Sequence, residues 1–597
     1  MIRTPLRPLA RILPARARGE NPDVIERENI RLRHETMRER ARERAQGRLV
    51  LLALGFCAGF AAVGARMAVL AASEPTEPRS APATAQIQAQ RADIVDRNGR
   101  VLATNLATHA LYAHPQDMVD PVRAARELAR IFPDLDAEKL QAQFTGESKF
   151  VWVRRKISPE QRQEVHEIGE PGLLFGTREM RLYPNGRLAA HVLGGAGFGQ
   201  EGVHSAEVIG TAGLEKALDG RLRGLEDPAE LGRPLTLSLD LTVQAVVMEV
   251  LGAGMKLLNA KGAAAIIMDA RTGEIVSMVS LPDFDPNDRP RPPTSGEPSD
   301  SPLFNRAVQG VYELGSVMKI FPVAQALELG LVNPDTKVNT KGPMTLGRFK
   351  VRDFRNYGPE LSVTQVIVKS SNIGTARIMS EIGPVRQQAF LSTLGFLEPI
   401  PLEMVEASGG KPLLPRKWGD IASATISYGH GLSATPLHAA VGYAAMVNGG
   451  YLVRPTLLKG DAPAQGPRVI SQKTSDQIRV MLRQVVTEGT ARMADVPGYM
   501  VGGKTGTADK LKPNGGGYYK DKVMANFAGA FPMNDPAYVI VVSLDEPVET
   551  SGSEPRRTAG WTAVPVTSEI IRRVAPLLGL RPVIEPAPSV ALTRARN

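Results

Sequence analysis

The sequence predicts an α+β protein carried on one membrane-spanning helix. Three observations lead there. Apolar, β-rich runs stand at both ends of a long C-terminal region, 234–581, with helical patterns between them. An apolar stretch over 49–72 follows an arginine-rich flank. A hairpin signal, Asn98-Gly99, opens a separate region, 91–233. The chain has 597 residues and is 43% hydrophobic, too long for one ordinary domain and apolar enough to bury sizeable cores. Its single cysteine, Cys57, excludes an intrachain disulfide framework and thiolate zinc sites.

The N-terminal tail comes first. Residues 1–48 contain 13 Arg, no Lys and 7 acidic residues, so +6 of the net +10 lies there and only +4 is spread over the other 549 residues. The basic excess is therefore a tail property, and the body has no case for nucleic acid. Residues 24–46 read as a charged, solvated helix with Glu and Arg three to four residues apart. In 49–72 the only charge is Arg66, near the end, where its side chain can snorkel. Such a helix spans about 36 Å at ~1.5 Å per residue, enough for a hydrocarbon core of ~30 Å. The arginine flank predicts a cytoplasmic N-terminus and export of everything after residue 72. The long tail and long apolar run favour a retained anchor over a cleaved signal peptide.

Residues 73–90, rich in Pro, Ala, Ser and Thr, read as a linker. In 91–233 a strand–turn–strand pattern is followed by helical stretches such as 122–131, with no catalytic constellation. In 234–581 the runs 263–269 and 274–279 form a hairpin, and 526–531 pairs with 538–544 about Asn534-Asp535-Pro536. Helical patterns cover 316–329, 363–381 and 436–448. Residues 582–597 read as a flexible tail.

Three short motifs carry chemistry. Ser316-Val317-Met318-Lys319 opens a helical pattern and puts a hydroxyl one turn before an amine. Ser370-Ser371-Asn372 supplies a second hydroxyl and an amide. Lys504-Thr505-Gly506-Thr507 lies in a strand pattern where Gly506 admits a close backbone. Each has a bland reading alone: a helix cap, a polar helix start, a strand end. The ordered set Ser-x-x-Lys, Ser-x-Asn, Lys-Thr-Gly is far more specific, and it is the set known for penicillin-recognising enzymes.

On these motifs the chain resembles the class B penicillin-binding proteins, the D,D-transpeptidases that cross-link peptidoglycan. The resemblance extends to Asp96-Arg97-Asn98-Gly99, Arg181-Leu182-Tyr183-Pro184, Gly213-Leu214-Glu215, Asn305-Arg306-Ala307 and Tyr428-Gly429-His430-Gly431. Within the class it is most similar to the septal, cell-division branch of proteobacteria. Two departures stand out: Leu314 replaces a usual proline, and Ser371 replaces Asp at the centre of the second motif. The resemblance implies an antiparallel sheet flanked by helices, with a helical subdomain, behind an elongated pedestal of the dimerisation type. It implies Ser316 as nucleophile, Lys319 as general base, Ser370 as proton relay and Asn372 as an orienting group. Lys504, Thr505, Gly506 and Thr507 would receive the substrate carboxylate, and the N–H groups of Ser316 and Thr507 would form the oxyanion hole.

An unperturbed lysine is only about one part in 2,500 neutral at pH 7, so a base role needs a depression of ~3 units, for which burial and Lys504 are the available causes. No metal or cofactor is expected, and His430 and His438 read as structural. The implied partners are a D-Ala-D-Ala donor, an amine acceptor, the membrane, a polytopic SEDS-type glycosyltransferase and other division proteins, with β-lactams as inhibitors. The implied location is the bacterial inner membrane at the septum, single-pass, with a periplasmic catalytic domain. Elongation-specific transpeptidation, β-lactam or D-Ala hydrolysis, and a catalytically silent division scaffold are the competing readings.

Overall fold

The computed structural model describes residues 9–72, 91–201, 206–227, 232–347, 349–460, 466–512 and 517–583. The expected linker, 73–90, and nearly all of the expected C-terminal tail lie outside the described residues. The charged N-terminal helix and the apolar span form one continuous helix, Pro22–Ala72. Within it Gln46–Ala68 is the one segment among the described residues long and apolar enough to cross a membrane. Its aromatic side chains point outward, with Phe60 75% exposed.

The first globular region is built on a strand, Val101–Ala113, that pairs antiparallel with Val151–Ile157 on one side and Leu173–Leu182 on the other. The helix Pro121–Ile131 starts at the expected place, with Asp120 accepting from the Arg123 N–H as its cap. The motif residues Arg181 and Glu215 are structural here. Arg91 and Arg181 both pair with Glu215, at 2.6 and 2.7 Å, and all three are almost wholly buried. Asp96 closes the expected turn by accepting from the N–H groups of Asn98 and Arg100, and it also accepts from Leu241 N–H. The strand Ile94–Val95 runs parallel to Leu235–Thr236, so this turn is where the two regions join.

The catalytic region is an antiparallel sheet of five strands. Their order is Gly502–Leu511, Tyr518–Phe531, Tyr538–Asp545, Gly262–Asp269 and Ile275–Leu281. The sheet's first and last strands in sequence, Gly262–Asp269 and Tyr538–Asp545, are therefore neighbours inside it. Every residue of Ile275–Leu281 is buried, so both faces are covered. Helices Leu241–Leu257 and Ala563–Leu577 pack on each other and on the sheet, and Pro436–Val447, buried at every position, packs on the three inner strands.

Two expected helices differ from the pattern read in the sequence. The first begins as a 3-10 segment, Gly315–Lys319, before Ile320–Glu328 continues as α-helix. The second, expected unbroken over 363–381, divides into Val363–Lys369 and Asn372–Ile382. Ser370 stands between them in the left-handed region, φ 61°, and Ser371 restarts the helix by accepting from Gly374 N–H. Apolar periodicity runs through both halves because both pack on one core; a serine pair with capping ability breaks the backbone between them.

Candidate active site

The strand Gly502–Leu511 is the edge of the sheet, and the 3-10 segment of the first motif lies against it. Contact at this depth requires residues without side chains. A Cβ on Gly506 would sit 2.3 Å from the Leu314 carbonyl oxygen. One on Gly315, at φ 63°, would sit 2.7 Å from the Thr507 carbonyl oxygen. The backbones of Ser316 and Thr507, whose N–H groups are the expected oxyanion donors, are thereby held side by side. Gly429, at φ 95°, closes the other flank: its carbonyl accepts from Gly315 N–H, and a Cβ there would lie 1.9 Å from the Gly315 oxygen.

In the 3-10 segment, ~3 residues per turn bring positions three apart into line. Ser316 is half-buried and stands over fully buried Lys319. Lys319 Nζ donates to the Ser370 carbonyl at 2.5 Å and to Ser370 Oγ at 3.1 Å. Lys504 Nζ donates to the same Oγ at 2.9 Å and to the Thr505 carbonyl at 3.1 Å. Residues from three distant segments thus converge on one hydroxyl. The left-handed turn at Ser370 makes this possible, since it brings carbonyl and Oγ together toward one amine.

Burial pulls Lys504 down to about 7. Burial also pulls Lys319 well below the ordinary lysine value, the charge of Lys504 pulls it further, and Asp353 opposes. Two buried ammonium groups sharing one hydroxyl disfavour each other, so burial and Lys504 together favour the free amine at Lys319, one turn from Ser316.

The remaining expected site residues fall into place unequally. Thr507 Oγ1 accepts from Ala559 N–H at 3.0 Å, which leaves its own proton to donate. Thr505 Oγ1 shares a 2.6 Å bond with Thr490. Asn372 Nδ2 donates to the Arg352 carbonyl at 2.9 Å, and among the described residues the hydrogen bonds of Lys319 Nζ go to Ser370. His430 bonds the Glu313 carboxylate through Nδ1 at 2.9 Å. His438 caps its own helix through Thr435, and burial lowers it to about 4. Both histidines hold structure. The residue that sequence reasoning missed is Asp353, whose carboxylate accepts from Ser371, Asn372 and Ile373. It precedes Ser371, the centre of the second motif, by 18 residues and belongs to no motif read in the sequence.

A serine beside a neutral, buried lysine, with paired backbone N–H groups and an open sheet edge, defines a serine acyl-transfer enzyme. Comparison with known proteins narrows this. The family model described as penicillin binding protein transpeptidase domain matches residues 263–571, and the penicillin-binding protein dimerisation domain matches 86–231. The chain is 34% identical over 505 residues to a probable peptidoglycan D,D-transpeptidase FtsI of Caulobacter vibrioides, covering 83% of this chain and 82% of that one. It is 28% identical to the peptidoglycan D,D-transpeptidase FtsI of Escherichia coli, covering 77% and 80%. The crystal structure of penicillin binding protein 3 from Mycobacterium tuberculosis complexed with aztreonam superposes with a TM-score of 0.62 at 28% identity, covering 84% of this chain and 99% of that one. The chain belongs to the penicillin-binding protein transpeptidases.

Proposed function

We propose that this protein is a membrane-anchored peptidoglycan D,D-transpeptidase that cross-links stem peptides during septum synthesis. The observation that carries the reading is the convergence of Lys319 and Lys504 on Ser370 Oγ, one turn from Ser316. Neutral Lys319 takes the Ser316 proton as Oγ attacks the penultimate D-Ala carbonyl of the donor. The N–H groups of Ser316 and Thr507 receive the oxyanion, an interaction of about 2.7–4 kcal/mol per donor. Ser370 passes the proton to the departing D-Ala amine. The acyl-enzyme then meets the amine of a second stem peptide, which loses its proton by the same route in reverse. Lys504, Thr505 and Thr507 hold the donor carboxylate, and the open edge of Gly502–Leu511 accepts the donor backbone as an added strand. A β-lactam enters the same way and acylates Ser316.

The apolar helix and its arginine flank support a cytoplasmic N-terminus and a periplasmic catalytic region. The first globular region lifts the catalytic one from the membrane and meets a polytopic SEDS-type glycosyltransferase and other division proteins. The similarity to relatives named FtsI supports the septal assignment.

Fluorescent penicillin tests the chemistry: a stable adduct on the wild type and none on Ser316→Ala is expected. Equal labelling of both, or none of either, rejects the nucleophile and favours a silent scaffold; rapid penicillin turnover favours a hydrolase. Depletion in cells tests the branch: filamentation is expected, and rounding would assign elongation instead. Deletion of 91–233 with localisation and division unchanged would reject the partner role.

A further inference from the structure

The helix Asn372–Ile382 starts at the last residue of the second motif, with Ser371 as its cap, and like any helix it begins with N–H groups that have no partner inside it. Here two side chains take them. Ser371 Oγ accepts from Gly374 N–H at 2.9 Å. Asp353 Oδ1 accepts from Asn372 N–H at 2.5 Å and from Ile373 N–H at 3.0 Å. Its other oxygen, Oδ2, accepts from the Ser371 hydroxyl at 2.7 Å, so the second cap is itself held by the first. Both carboxylate oxygens are thus engaged, and an anion stands at the positive end of the helix. Arg352, the next residue back, accepts the Asn372 side-chain amide on its carbonyl at 2.9 Å.

We infer that Asp353 is a positioning residue for the transfer reaction: bonded to Ser371, Asn372 and Ile373, it fixes the Ser370-Ser371-Asn372 turn on which Lys319 and Lys504 converge. The carboxylate lies outside the motif, on a loop 18 residues upstream, and reaches the motif's central serine. Two charged groups face Lys319 among the described residues: Lys504, from the edge strand, and Asp353, from this loop. The first favours the free amine and the second favours the ammonium. Asp353 therefore does two opposed things. It holds Ser370 where both lysines reach it, and it keeps Lys319 from losing its proton affinity altogether, so that the amine can accept the Ser316 proton.

This rests on Lys319 as the base, and the two can fail separately: loss of labelling in Ser316→Ala and Lys319→Ala tests that reading, and variants at 353 test this one. The measurement is the second-order rate of acylation by fluorescent penicillin against pH, on the full chain. Asp353→Asn keeps an acceptor for the helix N–H groups and removes the charge. Its acylation is expected to fall about 10- to 100-fold, the usual cost of a misplaced catalytic group. The informative readout is the acidic limb, which is expected to move to lower pH, since removing an anion lowers the lysine pKa. A plain helix cap would slow acylation without moving that limb. Should Asp353→Asn not fold, Asp353→Ser retains a short acceptor without charge and gives the same reading. A midpoint that stays put or moves to higher pH, at any rate, overturns the inference.

Discussion

Replacing Lys504 by methionine removes one of two charges that share a hydroxyl, and the effect on the other is calculable. Lys319 and Lys504 bond Ser370 Oγ at 3.1 and 2.9 Å. Two donors on one oxygen at those distances lie about 5 Å apart, and at an effective dielectric of ~20 two unit charges there repel by about 3 kcal/mol. The charge of Lys504 lowers the Lys319 pKa, so its removal raises it and shrinks the fraction of free amine at neutral pH. The acidic limb of Ser316 acylation is therefore expected to move to higher pH in Lys504→Met, with acylation below the original midpoint falling ~100-fold. Lys504 itself titrates at about 7, so the shift is fully expressed only below that pH. Stopped-flow acylation by a fluorescent penicillin from pH 5 to 9 reads it directly. Loss of the carboxylate contact lowers the plateau but leaves the midpoint alone, so the two contributions separate. A midpoint that stays in place or falls would show that the charge of Lys504 does not act on Lys319, and the assignment of Lys319 as neutral base would go with it.

Other outcomes follow from the same geometry. Ser370→Ala strips Lys319 and Lys504 of their common acceptor; penicillin acylation should drop by at least 10-fold, as expected for losing a proton relay, while the melting temperature holds. Gly429→Ala forces a side chain into the Gly315 carbonyl at a φ of 95°. It should cost about 1–3 kcal/mol of stability and slow acylation by displacing Ser316, both measurable on one preparation. Glu215→Gln leaves buried Arg181 without its carboxylate partner and buried Arg91 with Asp219 alone. Thermal unfolding should show a loss of about 3–5 kcal/mol, with penicillin labelling of the folded fraction unchanged because the network lies in the first region. Equal stability of Glu215→Gln and the wild type would mean that water reaches the pair.

Much of the architecture was readable before any coordinates. Hairpin signals, apolar runs and helical periods marked the strands and helices near their observed places, because burial imposes those periods directly on the residue order. The three catalytic motifs were readable as a set for the same reason: each is local, with its spacing fixed by one turn or one strand. The pattern over 363–381 reads as one continuous helix because one apolar face serves two helices, and periodicity does not register the single left-handed residue, Ser370, between them.

The residue order alone shows which groups are present and in what local sequence: an apolar span, a tail that holds most of the net charge, β-rich runs that form a sheet, and Ser316, Lys319, Ser370 and Lys504 as candidate reacting groups. Their electrostatics and alignment come from packing between distant segments. Lys319 and Lys504 are 185 residues apart in the chain, yet they bond one oxygen. Asp353 caps a turn 18 residues away. Asn372 reaches the backbone of Arg352 instead of the lysine it was expected to orient. A pKa answers to charges and solvent within several ångströms, and no spacing along the chain specifies which distant groups will be there.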